Sequence, residues 1–207
     1  IFSSFIVGYF GAAQLAANTV ALGFMHVCFM PAVGLNHGIA AIVGQWLGRG
    51  DVARAKARTY TAMRIAMGYM VFMGMIFALF GDKIILFGFQ TEPEVARLGH
   101  QILILVAFFQ AFDAINIIST GALRGAGDTR WMMVMTFLMS YLVFLPLALF
   151  FGIIVKGGAM GAWTGAMIFI VILSGILFHR FYSEVWRDIN IFKYSVPEEK
   201  ISDIKPL

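Results

Sequence analysis

The residues with the clearest capacity for chemistry are four polar ones within the apolar run 103–130. Asp113 lies near the middle of this run, and Gln110, Asp113, Asn116 and Thr120 follow one another at steps of three, three and four residues. Side chains at these steps share one face of an α-helix. An acid at bilayer depth is costly, so it commonly marks an ion, proton or ligand site. We therefore predict that Asp113 binds a cation or a proton, beside Gln110 and Asn116. The alternative for Asp113 is a structural carboxylate bonded to a neighbouring helix.

A second candidate is His37, which follows Asn36 in a long apolar run. Pro31, Gly34 and Gly38 lie in the same run and predict a kink or an unwound turn near its middle. Carbonyl groups exposed at such a break bind cations in transporters, and a histidine there could carry a proton. A packed, hydrogen-bonded histidine is the alternative. No second histidine stands at ligand spacing, so a zinc site is not expected.

The glycine-rich corner that ends the 103–130 run predicts a helix end and a helix start. Gly121, Gly125 and Gly127 would permit a tight turn. Arg124 would complement the carbonyl end of the first helix, and Asp128 would cap the next one. A hinge, or a latch between Arg124 and Asp128, is the functional alternative to this architectural interpretation.

Composition decides the class of protein. The chain has 207 residues, of which 60% are hydrophobic and only 13% are charged, and its mean hydropathy is +0.86. Soluble domains carry about 25% charged residues, so this chain has more apolar surface than a soluble core of its size can bury. The small net charge of +4 does not favour nucleic-acid binding. Cys28 is the only cysteine, so no intrachain disulfide can form.

The apolar runs predict an all-α integral membrane protein with five complete spans and a truncated first one. A helix needs about 20 apolar residues to cross a bilayer. A lobe is predicted over residues 1–182, and residues 183–207 are predicted to be a cytoplasmic tail or linker. The spans are predicted at about 1–10 (partial), 15–46, 59–80, 98–122, 131–155 and 159–178.

Loop charge predicts the orientation. The loop 48–58 has four basic residues and one acid, and the 124–130 corner has two basic residues and one acid, whereas 81–97 has two basic residues and three acids. Basic residues favour the cytoplasmic side. The first loop, the corner and the C-terminus are therefore predicted to be cytoplasmic, in a multi-pass protein.

Three stretches resemble the multidrug and toxic compound extrusion (MATE) family. They are AQLAANTVAL, FMPAVGLNHGIAAIVGQWLGRGD and FFQAFDAINIISTGALRGAGDTR. Two glycine-rich corners, one after a proline-containing helix and one after an acid-bearing helix, make the match specific. The chain looks most like the carboxy-terminal six-helix lobe of a bacterial member, in the inner membrane.

This resemblance implies a function and several roles. Family members exchange an inward flow of H⁺ or Na⁺ for outward movement of organic cations and other amphipathic drugs, without an enzymatic step or a cofactor. The resemblance aligns Asp113 with the family's cation ligand and Phe109 with a position that is tyrosine in some members. It also places Asn18 where it could line the cavity. The implied partners are drug substrates, the bilayer, and another lobe or a second copy of this one; no nucleic acid is expected.

Two other functions fit the composition. A lipid-linked saccharide flippase would need several basic residues within its spans, and Arg64 is the strongest candidate here, near a span end. A scaffold subunit without transport would not depend on Asp113. The sequence favours the ion-coupled exporter over both.

Overall fold

The computed structural model describes residues 12–89 and 93–188, which form five long helices and no strand. All five helices are long and apolar enough to cross a membrane, which confirms the predicted fold class. The predicted partial span at 1–10 lies outside the described residues. We number the helices α1 (Ala12–Gly48), α2 (Val52–Phe89), α3 (Pro93–Gly125), α4 (Thr129–Ile154) and α5 (Gly158–Tyr182).

Helix α3, which carries Asp113, is at the centre of the bundle. It packs against α1, α2 and α5. Half of its most apolar window is buried, against 17–33% for the other four helices. Successive helices alternate in direction, so α1, α3 and α5 end at the same side of the bundle. The polar stripe of α3 is thereby enclosed by protein on several sides.

The contact between α1 and α3 depends on two glycines that the sequence analysis assigned to a turn. A Cβ atom at Gly121 would lie 2.5 Å from the carbonyl oxygen of Asn36, and one at Gly125 would lie 2.3 Å from that of Ala40. Both distances are too short for real atoms. The prediction that these two glycines permit the turn is therefore wrong: they lie inside α3 and allow its backbone to touch α1.

The two glycine-rich corners have the same backbone construction. At the end of α3, Asp128 N–H donates to Leu123 O and Gly127 N–H donates to Arg124 O, which is a Schellman motif. The end of α1 repeats this pattern around Gly50. Both glycines have a positive φ, of 79° at Gly127 and 75° at Gly50. The predicted turn role of Gly127 is thus correct.

Helix α1 continues through Pro31 without the predicted unwound turn. Proline removes one backbone hydrogen bond from a helix, but in a bilayer each further unpaired backbone group would add its own cost. Within the described residues, the helix runs from Ala12, three residues before the predicted start of this span at 15. The unwound turn that we expected to expose backbone carbonyl groups beside His37 is therefore not present in α1.

Helix α4 contains two irregular segments that the sequence analysis did not predict. Ser140–Phe144 and Phe150–Ile154 are π-helical turns on either side of the short α-helical piece Leu145–Leu149. Pro146, which lacks a backbone donor, lies in this piece. Wider turns commonly form where a helix must pass such a residue.

The packed part of the chain extends beyond residue 182, where the sequence analysis ended the lobe. Trp186 is 1% exposed. Its ring stacks on Phe181 with centroids 5.6 Å apart, and its Nε1–H donates to the Phe181 carbonyl oxygen at 2.8 Å. A 3₁₀ turn, Val185–Asp188, holds Trp186 in this position. The remainder of the predicted tail, 189–207, lies outside the described residues.

Candidate functional site

Asp113 lies in the middle of α3 and is 8% exposed. Its neighbours on the helix include the fully buried Phe109, Ala114 and Ile118. Among the described residues, no hydrogen-bond donor or basic side chain pairs with the carboxylate. Burial costs an ionised carboxylate free energy, and no partner in the described part of the chain offsets that cost. A structural role through a bond to a neighbouring described helix is therefore not seen.

Gln110, one turn before Asp113, has a fully buried side chain. Neither its amide oxygen nor its amide nitrogen has a hydrogen-bond partner of normal geometry among the described residues. The Cys28 thiol of α1 is its polar neighbour, and Gly74 of α2 lies against its side chain. A buried amide without a hydrogen-bond partner destabilises the folded state by about 1–3 kcal/mol. A polar ligand or ion bound beside Gln110 would recover part of this free energy.

Asn116 and Thr120 occupy a different environment from Gln110. Both are half-buried, and Thr120 Oγ1 lies 3.4 Å from Asn116 Oδ1 as a hydrogen-bond donor. They line an open cleft of about 750 Å³ between α3, α4 and α5. The polar stripe thus divides: Gln110 points into the core, whereas Asn116 and Thr120 border the cleft. Asp113 lies one turn from Gln110 and from Asn116, and two turns from Thr120.

Asn18 and Phe109 are in the core, and neither lines the cleft that Asn116 and Thr120 border. Asn18 is fully buried, and its Oδ1 accepts a hydrogen bond from Trp163 Nε1 at 3.1 Å. This bond joins α1 to α5. Phe109 is also fully buried and has no side-chain oxygen to offer a cation. Both residues therefore support packing around Asp113 in this arrangement.

Asn36 and His37 lie on different faces of α1. Asn36 is buried, and its Nδ2–H donates to the carbonyl oxygen of Ile117 on α3. His37 is exposed, so the structure does not bring it to the Asp113 side of α1. The sequence analysis singled out His37, but the periodicity of α1 puts Asn36 on its inner face, together with Ala32 and Ile39.

The structure contradicts both predicted roles of Asp128. It makes no side-chain cap bond to α4 and no ion pair with Arg124. Asp128 is 4% exposed, and its Oδ2 accepts a hydrogen bond from Arg180 Nε at 2.8 Å. The guanidinium of Arg180 also lies over the Trp131 ring, 4.7 Å from its centroid. The Schellman turn directs Asp128 towards α5, whereas the equivalent Asp51 caps its helix by accepting a hydrogen bond from Arg54 N–H at 2.9 Å.

A second ion pair was not predicted. Lys56 of α2 donates to Glu184 Oε1, just beyond the end of α5. The Lys56 ammonium is also 5.5 Å from the centroid of the Tyr182 ring. Hydrogen bonding to Lys56 lowers the pKa of Glu184. No local sequence pattern links these residues, because they are 128 positions apart.

Charge is distributed unevenly between the two ends of the bundle. We call the end at which α1, α3 and α5 terminate the basic face. Among the described residues, the basic side chains of this face outnumber those of the opposite end, which are Lys83, Arg97 and Lys156. The members of the basic face are Arg49, Arg54, Lys56, Arg58, Arg124, Arg130, Arg180 and Arg187.

A bundle of five apolar helices with a buried acid in the middle of its central helix defines a multi-pass helical membrane protein. The chain belongs to the MatE family, whose model matches residues 1–150. This confirms the resemblance found in the sequence. Which of the two lobes the chain represents stays a prediction.

Several curated bacterial proteins are similar to this chain. One is the probable multidrug resistance protein NorM of Pseudomonas syringae pv. tomato, 31% identical over 172 residues, which are 79% of this chain and 36% of that protein. Another is the multidrug resistance protein MdtK of Yersinia pseudotuberculosis, 30% identical over 167 residues, which are 79% of this chain and 36% of that protein. The chain spans less than two fifths of the length of these relatives.

A solved structure shows the same fold. The crystal structure of the eukaryotic MATE transporter AtDTX14 superimposes with a TM-score of 0.74 and 21% sequence identity. The match covers 84% of this chain and 39% of that one.

Proposed function

We propose that this chain is one lobe of a secondary transporter that exports amphipathic organic cations in exchange for H⁺ or Na⁺. The observation that carries the proposal is Asp113: a carboxylate in the central helix, nearly buried and without a partner among the described residues. The names of the curated relatives, which are multidrug resistance proteins, support the same function.

Binding of a cation or a proton would remove the cost of the buried charge. The Gln110 amide, unpaired one turn away, would supply an oxygen ligand or a bond to a water molecule at the same site. Na⁺, like other hard cations, prefers oxygen ligands of this kind. Phe109 can add no ligand from its side chain, so the site would need oxygen atoms from elsewhere on α3 or from the rest of the protein.

Transport requires that the bound ion favours one conformation over another. A ligand shifts a conformational equilibrium only by its difference in affinity between the two states. We infer that Asp113 is dry in one state and open to water in the other, so that its occupancy changes as the lobe moves. The drug cavity would lie between this lobe and another lobe or a second copy.

The charge distribution supports an orientation. The basic face would lie in the cytoplasm by the positive-inside rule, which also places the end of α5 and the C-terminus there. In a bacterium, the membrane would be the inner membrane.

Ethidium accumulation in cells that lack their own exporters tests the proposal. Cells that express the full-length protein should accumulate less dye than cells with an empty vector, and Asp113→Asn should abolish this difference. Asp51→Asn is a matched control, because it removes an acid from the basic face without touching α3, and it should leave efflux unchanged. Immunoblots of membranes verify equal expression. Efflux by Asp113→Asn at the wild-type rate would overturn the role of Asp113, and no efflux by the wild type would overturn the exporter function.

A further inference from the structure

The open cleft between α3, α4 and α5 has features that the proposed ion site does not use. Two ladders of side chains line it, each with a repeat of four residues. On α3 the ladder is Arg124, Thr120 and Asn116, and on α4 the polar ladder is Thr136 and Ser140. Residues four apart lie one above another on a helix. The cleft therefore extends for about 12 Å along the helix axes, since eight residues rise by that amount.

The charge of the cleft lies at the basic face, and the side chains deeper in the cleft are uncharged. Arg124 lies in the last turn of α3, at the end of the bundle. The hydroxyl groups of Thr120, Thr136 and Ser140 come next. Leu173 of α5, nine residues before the end of that helix at Tyr182, lies at about the depth of Asn116, and Phe169 lies one turn deeper.

The charge of the cleft is positive and uncompensated. Among the described residues that line it, none is acidic. Arg124 is exposed and has no acidic partner in the described part of the chain, whereas Arg180 and Lys56 on the same face are paired with Asp128 and Glu184. A guanidinium with free donors binds phosphate oxygens well. A cationic drug would find no acidic side chain to pair with among these lining residues.

The outer rim of the cleft is apolar. Met133, Phe137 and Tyr141 of α4 are 67%, 59% and 56% exposed, and all three line the cleft. These side chains follow one another at steps of four along the least buried helix of the bundle. An occupant would thus contact apolar side chains along its length and a guanidinium at one end.

We propose that this cleft binds an acidic phospholipid from the leaflet at the basic face. The phosphate would lie on Arg124, the glycerol ester groups at the depth of the hydroxyl groups, and an acyl chain against Phe169, Leu173 and the apolar rim. A single charge at the membrane surface, hydroxyl groups below it and apolar side chains along the length of the cleft suit the groups of a glycerophospholipid. Anionic headgroups also gain electrostatically from basic residues at a membrane surface.

Native mass spectrometry of the full-length protein in detergent tests this, with phosphatidylglycerol and phosphatidylcholine as the two probes. The wild type should retain phosphatidylglycerol in preference to phosphatidylcholine. Arg124→Gln should weaken phosphatidylglycerol binding at least about fivefold, the effect of one basic residue at a membrane surface, and Arg124→Lys should restore much of it. Arg130→Gln is the matched control: it removes an exposed charge from the same face, but Arg130 does not line the cleft.

Three results would overturn the proposal. They are equal retention of the two lipids by the wild type, undiminished phosphatidylglycerol binding by Arg124→Gln, and an equal loss in Arg130→Gln, which would indicate a diffuse surface charge. A Ser140→Leu variant adds a second test, because it leaves every charge in place and narrows the cleft beside the expected ester groups. It should also weaken binding, and unchanged binding would contradict the position proposed for the lipid. Unfolding temperatures verify that each variant is folded.

Discussion

Asp128 and Arg180 form an ion pair that joins the α3–α4 corner to the last turn of α5, with Arg180 Nε 2.8 Å from Asp128 Oδ2. The carboxylate is 4% exposed and the guanidinium side chain 20% exposed. Just beyond the end of α5, Glu184 pairs with Lys56 of α2. The end of α5 is therefore held between two neighbouring elements at the basic face.

Asp128→Asn should lower the stability of the protein by roughly 2–4 kcal/mol, because it leaves the Arg180 charge partly buried and without its partner. Thermal unfolding in detergent measures this as a lower unfolding temperature. Asp51→Asn, in the equivalent corner, should cost less than about 1 kcal/mol, since Asn caps a helix about as well as Asp and only the exposed ion pair with Arg54 is lost. Equal losses in the two variants would show that the pair with Arg180 adds no stability.

Gly121→Ala should destabilise the protein by about 1–3 kcal/mol or more, as overpacking of a core does. The added methyl group would lie 2.5 Å from the carbonyl oxygen of Asn36, so α1 and α3 must move apart. Gly38→Ala is the control, because among the described residues nothing lies within 4 Å of a Cβ atom there. It should be neutral, or stabilising by up to about 1 kcal/mol through helix propensity. Thermal unfolding in detergent measures both variants. An unchanged unfolding temperature in Gly121→Ala would rule out the close contact between Gly121 and the backbone of α1.

The Lys56–Glu184 pair should contribute to stability in a pH-dependent way. Hydrogen bonding to Lys56 lowers the pKa of Glu184 below its ordinary value of 4.5. A carboxylate with a lowered pKa in the folded state stabilises that state above its unfolded pKa, and the contribution is lost as the pH falls through the folded value. The unfolding temperature of the wild type should therefore exceed that of Glu184→Gln at pH 7, and the difference should vanish as the pH falls below 4.5. A difference that does not vary with pH would contradict this account.

Much of the architecture could be predicted from the sequence because it depends on local patterns. Long apolar runs predicted the five helices. The glycine-rich corner predicted the end of α3, because a glycine with positive φ, here Gly127, is a common way to end a helix. The position of Asp113 on a polar stripe of α3 follows from helical spacing alone.

Contacts between distant parts of the chain could not be predicted in this way. Gly121 looked like a turn residue, because nothing in its neighbourhood indicates that the backbone of α1 lies against it. The partner of Asp128 lies 52 residues further along, and a nearby Arg124 was the natural but wrong choice. On the polar stripe of α3, Gln110 lies in the core, whereas Asn116 and Thr120 line the cleft. Helical spacing alone does not predict this difference, because it depends on where α1, α4 and α5 pack around α3.

The most direct test of the central claim is transport driven by an imposed ion gradient in proteoliposomes of the full-length protein. A pH or Na⁺ gradient should drive dye movement by the wild type, whereas Asp113→Asn should lose gradient-driven movement by at least about tenfold, equivalent to about 1.4 kcal/mol of coupling. Dye binding to the purified variant should persist. Gradient-driven movement by Asp113→Asn at the wild-type rate would contradict the account.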